Sequence, residues 1–406
     1  MQGLAEELAR RGVDMTVVTR RFPGTAPDER LGGVRVVRIP MFDIGRFHLP
    51  RGYLRTLRSL SADVFHLSGN RVWCADYYLP RIRQFPWAQV MTGHGFYQYE
   101  MHRRAWDRWY FERYLPRRIA LLDCYTAITS HEREQLVSWG VEPAQIEIVP
   151  NGIDLEEFRG PRSDPETVRL RWGLKTPRVL VYVGGFYENK RVDRLVRAVA
   201  ATRGEWGLVA AGRDLPGTRF DRAAISALAT QLGAPVALYD VLPRSEVLDA
   251  LNAADAVGVG SSYEGFGLLL LEAMATGRPF VAFRTGAAPE LASTGSGFCV
   301  DTEPEFADAL RRLSDPIVRQ TMGARGREMV GAYTVVKQAD RFLEVYGRAV
   351  ERRRSRSSSA RSSIASASQA PPEARARPPR EEVGGSGSPG ASGSSGPTVK
   401  LSGGHD

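Results

Sequence analysis

Cysteine is scarce. The 406 residues hold three, Cys74, Cys124 and Cys299, with no Cys-x-x-Cys spacing. That argues against a disulfide framework or a zinc site and fits a reducing interior. No apolar run approaches the length that spans a bilayer. The expected location is cytoplasmic, with a peripheral place at the inner face of a membrane left open. The pair Gly184-Gly185 lacks the third glycine of a dinucleotide fingerprint, which makes a nicotinamide enzyme a poor reading. An acidic excess is also missing. The net charge is +9, with +5 in residues 1–150, a balance in 151–350 and +4 in 351–406. A basic partner surface therefore belongs to the first half or the tail.

What is present centres on SSYEGFGLLLLEAMATGRP, residues 261–279. The spacing predicts a helix from about Phe266 or Gly267, apolar nearly all round, stopped by Gly277 and Pro279. Glu272 sits inside it, and a buried carboxylate needs partners. Glu264 lies eight residues earlier, before Gly265-Phe266-Gly267. Free amides at such a helix start attract phosphate, and the two glycines allow close approach to the backbone. Leu268 and Glu272 share a face, four residues apart. Glu272 can accept hydrogen bonds from a diol while the amides hold an anion. The plain alternative is a core helix whose glutamate pairs with an arginine.

The rest alternates strand and helix. Residues 1–11 read as a helix. DMTVVT, GVRVVRIP, ADVFHL, QVMTGHGFY, CYTAITS and IEIVP read as strands of a first half. PRVLVYV, WGLVAAGRD, PVALYDVLP, ADAVGVG, RPFVAF, TGAAPEL and GSGFCVD read as strands of a second. Such alternation implies doubly wound parallel sheets. A half of this type starts with a strand and a Gly-rich turn. This chain starts inside a helix, so the natural start is expected about 20 residues upstream. His94-Gly95 follows a strand, where residues face the ligand crevice. Lys190 stands near a helix start, where it can neutralise a departing diphosphate. Residues 96–118 interleave Trp106, Trp109, Tyr110, Phe111 and Tyr114 with Arg103, Arg104, Arg108, Arg113, Arg117 and Arg118. That mixture suits a half-buried helix, an anionic membrane interface or single-stranded nucleic acid. The tail after residue 350 is rich in Ser, Gly, Pro and Arg and is expected to be disordered.

Two glutamates with seven residues between them, set in EGFGLLLLEAMATGRP, resemble the signature of glycosyltransferase family 4. The resemblance extends over about residues 1–350. It implies the GT-B fold, two Rossmann-like doubly wound parallel-sheet domains facing across a cleft, with a disordered C-terminal tail. The implied domains are 1–150, on the acceptor side, and 151–333, on the donor side. Asn151-Gly152-Ile153-Asp154 resembles the hinge between them. The helix over 334–350 is implied to cross back onto the first domain, and 351–406 is the tail.

The implied activity is transfer of a sugar from a nucleotide-diphosphate sugar to a hydroxyl acceptor, with retention. That acceptor is either lipid-linked or a growing polysaccharide. No metal and no cofactor are implied; the nucleotide sugar is a substrate. His94, Lys190 and Glu264 are the implied catalytic residues. Gly184, Gly185, Lys190, Glu264, Gly265, Phe266, Gly267, Leu268 and Glu272 are the implied donor-binding residues, with Glu272 on the ribose. The family places an arginine where this chain has Gly185, so one diphosphate cation is missing and another arginine must substitute. Thr285-Gly286-Ala287 resembles a loop beside the diphosphate.

Three rival readings stand beside this one. A non-catalytic nucleotide-sugar-binding relative accommodates the absent front and the absent arginine. A protein acting through its basic segments on nucleic acid or membrane accommodates the charge pattern, although no specific nucleic acid is expected. A GT-B relative that isomerises or phosphorolyses sugars is the third.

Overall fold

The computed structural model describes residues 2–44, 47–70, 73–97, 104–160 and 163–368. The chain divides into two units, Met1–Arg356 and Ser357–Asp406. The first contains both halves read from the sequence. The second is helical up to Ser368; residues 369–406, most of the expected tail, lie outside the described residues.

The first half carries β1 (Thr16–Arg20), β2 (Asp28–Leu31), β3 (Val34–Ile39), β4 (Met41–Ile44), β5 (Phe47–Pro50), β6 (Val64–Ser68), β7 (Ala88–Thr92), β8 (Cys124–Ala127) and β9 (Ile146–Ile148). β6, β7, β8 and β9 form a parallel sheet in that order, with the helices Trp73–Tyr78 and Ser130–Ser138 among its connections. The expectation of parallel strands throughout is corrected at two places. β2 folds back antiparallel on β3, with Leu31 opposite Val34. Gly32 and Gly33 make the turn, both at positive φ (56° and 84°), as a two-residue hairpin of this hand requires. β4 and β5 form a second antiparallel pair.

β1 runs parallel to β3, so the sheet order is β1-β3-β2, separate from β6-β7-β8-β9. Among the described residues, the other edges of β1 and β6 carry no strand. Val18 of β1 nevertheless packs into the same core as Leu67 and Phe65 of β6.

The second half is one six-stranded parallel sheet made of β10 (Arg178–Val183), β11 (Trp206–Ala211), β12 (Val236–Tyr239), β13 (Ala256–Val259), β14 (Phe280–Phe283) and β15 (Gly297–Val300). Its order is β12-β11-β10-β13-β14-β15. Both faces are covered. Val179, Val181, Val257 and Phe280 pack on one side, and Leu180, Tyr182, Leu208 and Val281 on the other. That explains why these strands read as continuous apolar runs rather than alternating ones. Full burial of such side chains contributes about 1.5–3 kcal/mol each. TGAAPEL, expected as a strand, is instead the short helix Ala288–Ala292. Pro289 sits in its first turn, where a missing N–H costs nothing.

The last helix runs from Val335 to Ser368, without the expected end at Val350. Ala339, Phe342, Val345 and Ala349 pack against Leu4, Leu8, Val90 and Val149 of the first half. Beyond Val350 the contact turns polar. Arg353 donates to the Trp87 carbonyl at 2.8 and 3.0 Å and pairs with Asp123 at 3.3 Å. Arg356 reaches Asp123 at 3.4 Å, and Arg352 donates to the Asp123 carbonyl at 3.0 Å. The Asp123 side chain is fully buried, and burial raises its carboxyl while the arginines pull it down. Three arginines that the sequence places in a solvated tail are therefore spent on the body of the protein.

Candidate active site between the two halves

The order of the second sheet reverses between β10 and β13. Loops leaving adjacent strands at such a switch point diverge and leave a crevice at the strand ends. Gly184 to Lys190 leave β10, and Ser261 to Gly267 leave β13. These are the two segments the sequence singles out, and the topology brings them together.

Lys190 ends the short turn Glu188–Lys190. Its Nζ lies 2.7 and 2.9 Å from the two carboxylate oxygens of Glu264. Ser261 Oγ donates to Glu264 Oε1 at 2.7 Å, and the Glu264 N–H donates to Thr285 Oγ1 at 2.8 Å. Phe266 accepts from the Ala287 N–H at 2.8 Å. The 264–267 loop is thus pinned by 285–287. Lys190 and Glu264 are both largely buried, so each offsets the other's cost of leaving water.

The helix begins at Leu268 and ends at Ala275, with Gly267 before it at φ 97°. Leu270, Leu271, Ala273 and Met274 are buried. Leu268 is 47 % exposed, so the helix is not covered all round: it is open at its first residue. The Phe266 ring is 4 % exposed and lies in the core, so this position offers backbone rather than side chain to the crevice. Glu272 is mostly buried, and its Oε1 accepts from Arg244 Nη1 at 2.7 Å. Burial raises its carboxyl, Arg244 pulls it down, and Glu157 pushes it up. An arginine partner for this glutamate was one of the two sequence expectations; Arg244 itself was not foreseen, because nothing in LPRSEV marks it.

His94 comes from the other half, at the end of β7. It is held at φ 58°, a left-handed conformation that non-glycine residues rarely adopt and that marks a constrained turn. Its Nε2 lies 2.9 Å from Ser68 Oγ at the end of β6. Burial pushes the imidazole down to about 4, so it is neutral at physiological pH. The His94 turn touches the Glu264 loop directly. A Cβ on Gly265 would come 2.6 Å from the His94 carbonyl, and a Cβ on Gly95 would come 2.2 Å from Tyr263 Oη. The Phe96 N–H donates to Tyr263 Oη. On the same junction the Ser130 N–H donates to Glu290 Oε1 at 2.7 Å. The structure therefore brings His94, Lys190, Glu264 and Gly265 to one place, three residues ahead of the Leu268 helix start. Tyr263, Ser261 and Glu290 complete it; the first two lie in the 261–279 stretch, where the sequence singles out the glutamates and glycines instead.

Gly184 presses on Gly212, where a Cβ would fall 1.8 Å from the Gly184 carbonyl. Gly185 lies under the Tyr187 ring, which a Cβ would meet at 2.3 Å. A longer side chain at 185 is thus excluded while Tyr187 keeps this position. Beside it opens a cavity of about 480 Å³, lined by Tyr97 from the first half and by Tyr187, Asn189, Thr218, Arg219 and Phe220 from the second. Arg219 is a cation within reach of this space; it pairs with Glu188 at 3.5 Å. Among the described residues no cluster of three or more His, Cys, Asp and Glu side chains is arranged to hold a metal ion.

The sequence model of Glycosyltransferase Family 4 matches residues 1–157, and that of Glycosyl transferases group 1 matches residues 166–329. The D-inositol 3-phosphate glycosyltransferase of Kineococcus radiotolerans is 30 % identical over 394 residues, covering 86 % of this chain and 89 % of that protein. The protein of the same name from Saccharomonospora viridis is 31 % identical over 388 residues, covering 85 % and 87 %. Among solved structures, sucrose-phosphate synthase from Thermosynechococcus elongatus superposes with a TM-score of 0.70 at 24 % identity, covering 84 % of this chain and 90 % of that one. HepE of Anabaena, in complex with UDP-glucose, superposes with a TM-score of 0.65 at 17 % identity, covering 78 % and 86 %. These structural likenesses speak for the fold.

Proposed function

The chain belongs to glycosyltransferase family 4, and from that premise we propose that the junction of His94, Lys190, Glu264 and Gly265 is where a sugar leaves its nucleotide diphosphate. The protein is a glycosyltransferase of GT-B fold that moves a sugar from a nucleotide-sugar donor to a hydroxyl acceptor. The Lys190–Glu264 pair carries the site assignment: it sits at the switch point of the donor-side sheet, against the other half. In this reading Lys190 turns toward the diphosphate as negative charge grows there, and the amides at Gly267 and Leu268 share that charge. Glu264, released from Lys190, accepts hydrogen bonds from the donor sugar. Glu272 accepts from the ribose. Neutral His94 offers a hydrogen bond to sugar or acceptor without titrating. No metal is needed, because Lys190 and the amides supply the positive potential. The acceptor hydroxyl attacks the face that the diphosphate leaves and passes its proton to the departing phosphate oxygen as the sugar–phosphate bond breaks, which retains configuration.

The test is transfer and donor hydrolysis across a panel of nucleotide sugars, with inositol phosphates, polysaccharide fragments and lipid-linked hydroxyls as acceptors, with and without EDTA. Product anomers are read by NMR. Turnover by the wild-type protein, lost in Lys190→Ala and Glu264→Ala, supports the reading. Donor binding with no turnover for any acceptor leaves the non-catalytic alternative standing instead.

A second reading concerns where the acceptor is found. Residues 105–119 are helical. Tyr110 and Phe111 are buried, but Trp106 is 61 % and Trp109 47 % exposed. Trp106, Trp109 and Tyr114 stack in sequence at 4.8 and 5.8 Å, and Arg118 lies 5.0 Å over the Tyr114 ring. Arg104, Arg108, Arg113 and Arg117 are exposed beside them. Arg103, read with this group, lies outside the described residues. Exposed indoles among arginines suit the interface of an anionic membrane, and a peripheral position there would give access to a lipid-linked hydroxyl. Among the described residues no helix is long and apolar enough to cross a membrane. Flotation with anionic vesicles at low salt tests this; Trp106→Ser with Trp109→Ser should abolish it, and failure of the wild-type protein to float ends the idea.

A further inference from the structure

Arg244 begins the helix Arg244–Ala253. All three of its guanidinium nitrogens are engaged. Nη1 donates to Glu272 Oε1 at 2.7 Å, while Nε and Nη2 donate to Glu157 Oε2 at 3.2 and 2.8 Å. The guanidinium also lies 5.3 Å over the Phe158 ring. Glu157 and Phe158 belong to the short turn Leu155–Phe158, just after Ile153, which bridges Thr334 at the crossover between the halves.

The charge balance of this cluster decides what it can bind. Two carboxylates share one cation, so the cluster is net negative. It repels phosphate and attracts hydroxyl donors. The diphosphate end of a nucleotide must then lie toward Gly267 and Lys190, and a vicinal diol toward Glu272. Burial works against the ionised form of Glu272, and Arg244 is the cation that opposes it. Arg244 and Glu157 are the charged groups that act on Glu272 among the described residues.

We propose that Arg244 is a positioning residue for the nucleotide: it keeps Glu272 ionised and turned to accept a ribose diol. Glu157 and Phe158 hold the guanidinium in place when the diol arrives, so the pair is shared with the ligand rather than broken. This rests on the reading that Glu272 meets the ribose.

The experiment is calorimetry with whichever of UDP, ADP and GDP binds most tightly, beside its 2′-deoxy form, at pH 8 and pH 6. The wild-type protein should lose about ten-fold in affinity for the deoxy form, nearly independent of pH. Arg244→Ala should bind the ribonucleotide more weakly, about ten-fold more so at pH 6 than at pH 8, because its buried carboxyl then takes up a proton. Its discrimination against the deoxy form should fall toward none at pH 6. Arg244→Lys should restore the flat pH dependence and part of the discrimination. If Arg244→Ala does not fold, Arg244→Gln and Arg244→Lys carry the same comparison. Discrimination that is lost in Glu272→Gln but intact and flat with pH in Arg244→Ala overturns this inference and leaves the ribose reading standing. Full affinity and discrimination in Glu272→Gln overturn the ribose reading itself.

Discussion

Lys190 Nζ lies 2.7 Å from Glu264 Oε1, so the two groups assigned to opposite ends of the donor's scissile bond are each other's partners. They come from loops after β10 and β13, 74 residues apart. Each holds the other in place through two short contacts. Lys190→Ala should lower kcat by about 100- to 1,000-fold, the range for losing one preorganised donor to a developing anion. Glu264→Ala should do the same. The double variant should be little worse than either single one, because partners in one network are not additive. Additive losses in the steady-state kinetics would show that the two act independently.

Glu272→Gln should weaken nucleoside diphosphate binding by about 1.5–3 kcal/mol, the worth of a hydrogen bond to a charged acceptor. Its kcat at saturating donor should change far less than that of Glu264→Ala. Calorimetry for binding and initial rates for turnover separate the two effects, and unaltered affinity for Glu272→Gln would contradict the ribose assignment.

Gly185→Arg restores the residue type that the family resemblance leads one to expect, yet it should not restore a second diphosphate cation. The new Cβ would come within 2.3 Å of the Tyr187 ring, so the single variant should melt earlier than the wild-type protein. Paired with Tyr187→Ala, the arginine gains room. That double variant should bind diphosphate more tightly than Tyr187→Ala alone. Equal affinities of the two in calorimetry would argue that another cation, such as Arg219, already does this work.

His66 is half-buried, with Nδ1 2.8 Å from Tyr346 Oη and Nε2 2.7 Å from Thr92 Oγ1. Burial, and to a smaller degree the neighbouring His94, push it down to about 3 from its ordinary 6.5. In this window the folded form binds fewer protons than the unfolded form. Its contribution to stability is therefore complete above about pH 6.5 and is lost as pH falls toward 3. Thermal midpoints should drop across that acid range, and His66→Gln should flatten the drop while lowering the midpoint at pH 7. An acid slope equally steep in His66→Gln would place its origin elsewhere.

His94 should contribute no titration to the rate near neutrality. Its imidazole is pushed down to about 4 and is neutral throughout pH 5.5–8. His94→Ala should lower kcat without altering the shape of the pH–rate profile over that range. A limb near pH 6.5 that disappears in the variant would mean that the histidine titrates on the reaction path.

The second sheet was the most legible part of the chain, because both of its faces are buried and its strands read as unbroken apolar runs such as VLVYV and WGLVAA. The 261–279 stretch was legible because its residue types conflict: a carboxylate in a greasy helix, and glycines ahead of a helix start. Other features were written but not weighed. Gly32-Gly33 between two short strands is a hairpin signal, and it was read past in favour of parallel order. Pro289 in the first turn of a helix argued against a strand at TGAAPEL. The rest was not there to read. Arg244, Tyr263 and Glu290 become site residues only through contacts made over long separations, and no local spacing marks them. The charge count also misled. Arg352, Arg353 and Arg356 look like a solvated basic tail, yet they hydrogen-bond to backbone carbonyls of the first half.

That arginine clasp fixes where the protein can be trimmed. A version cut at Val350, the point at which low complexity begins, would strip Asp123 of both side-chain cations and leave its buried carboxylate with only the Gln89 N–H as a partner among the described residues. One cut after Arg356 discards only residues on the far side of the clasp. For anyone preparing a shorter form for crystals or assays, six residues separate a sound truncation from one that undermines the first half.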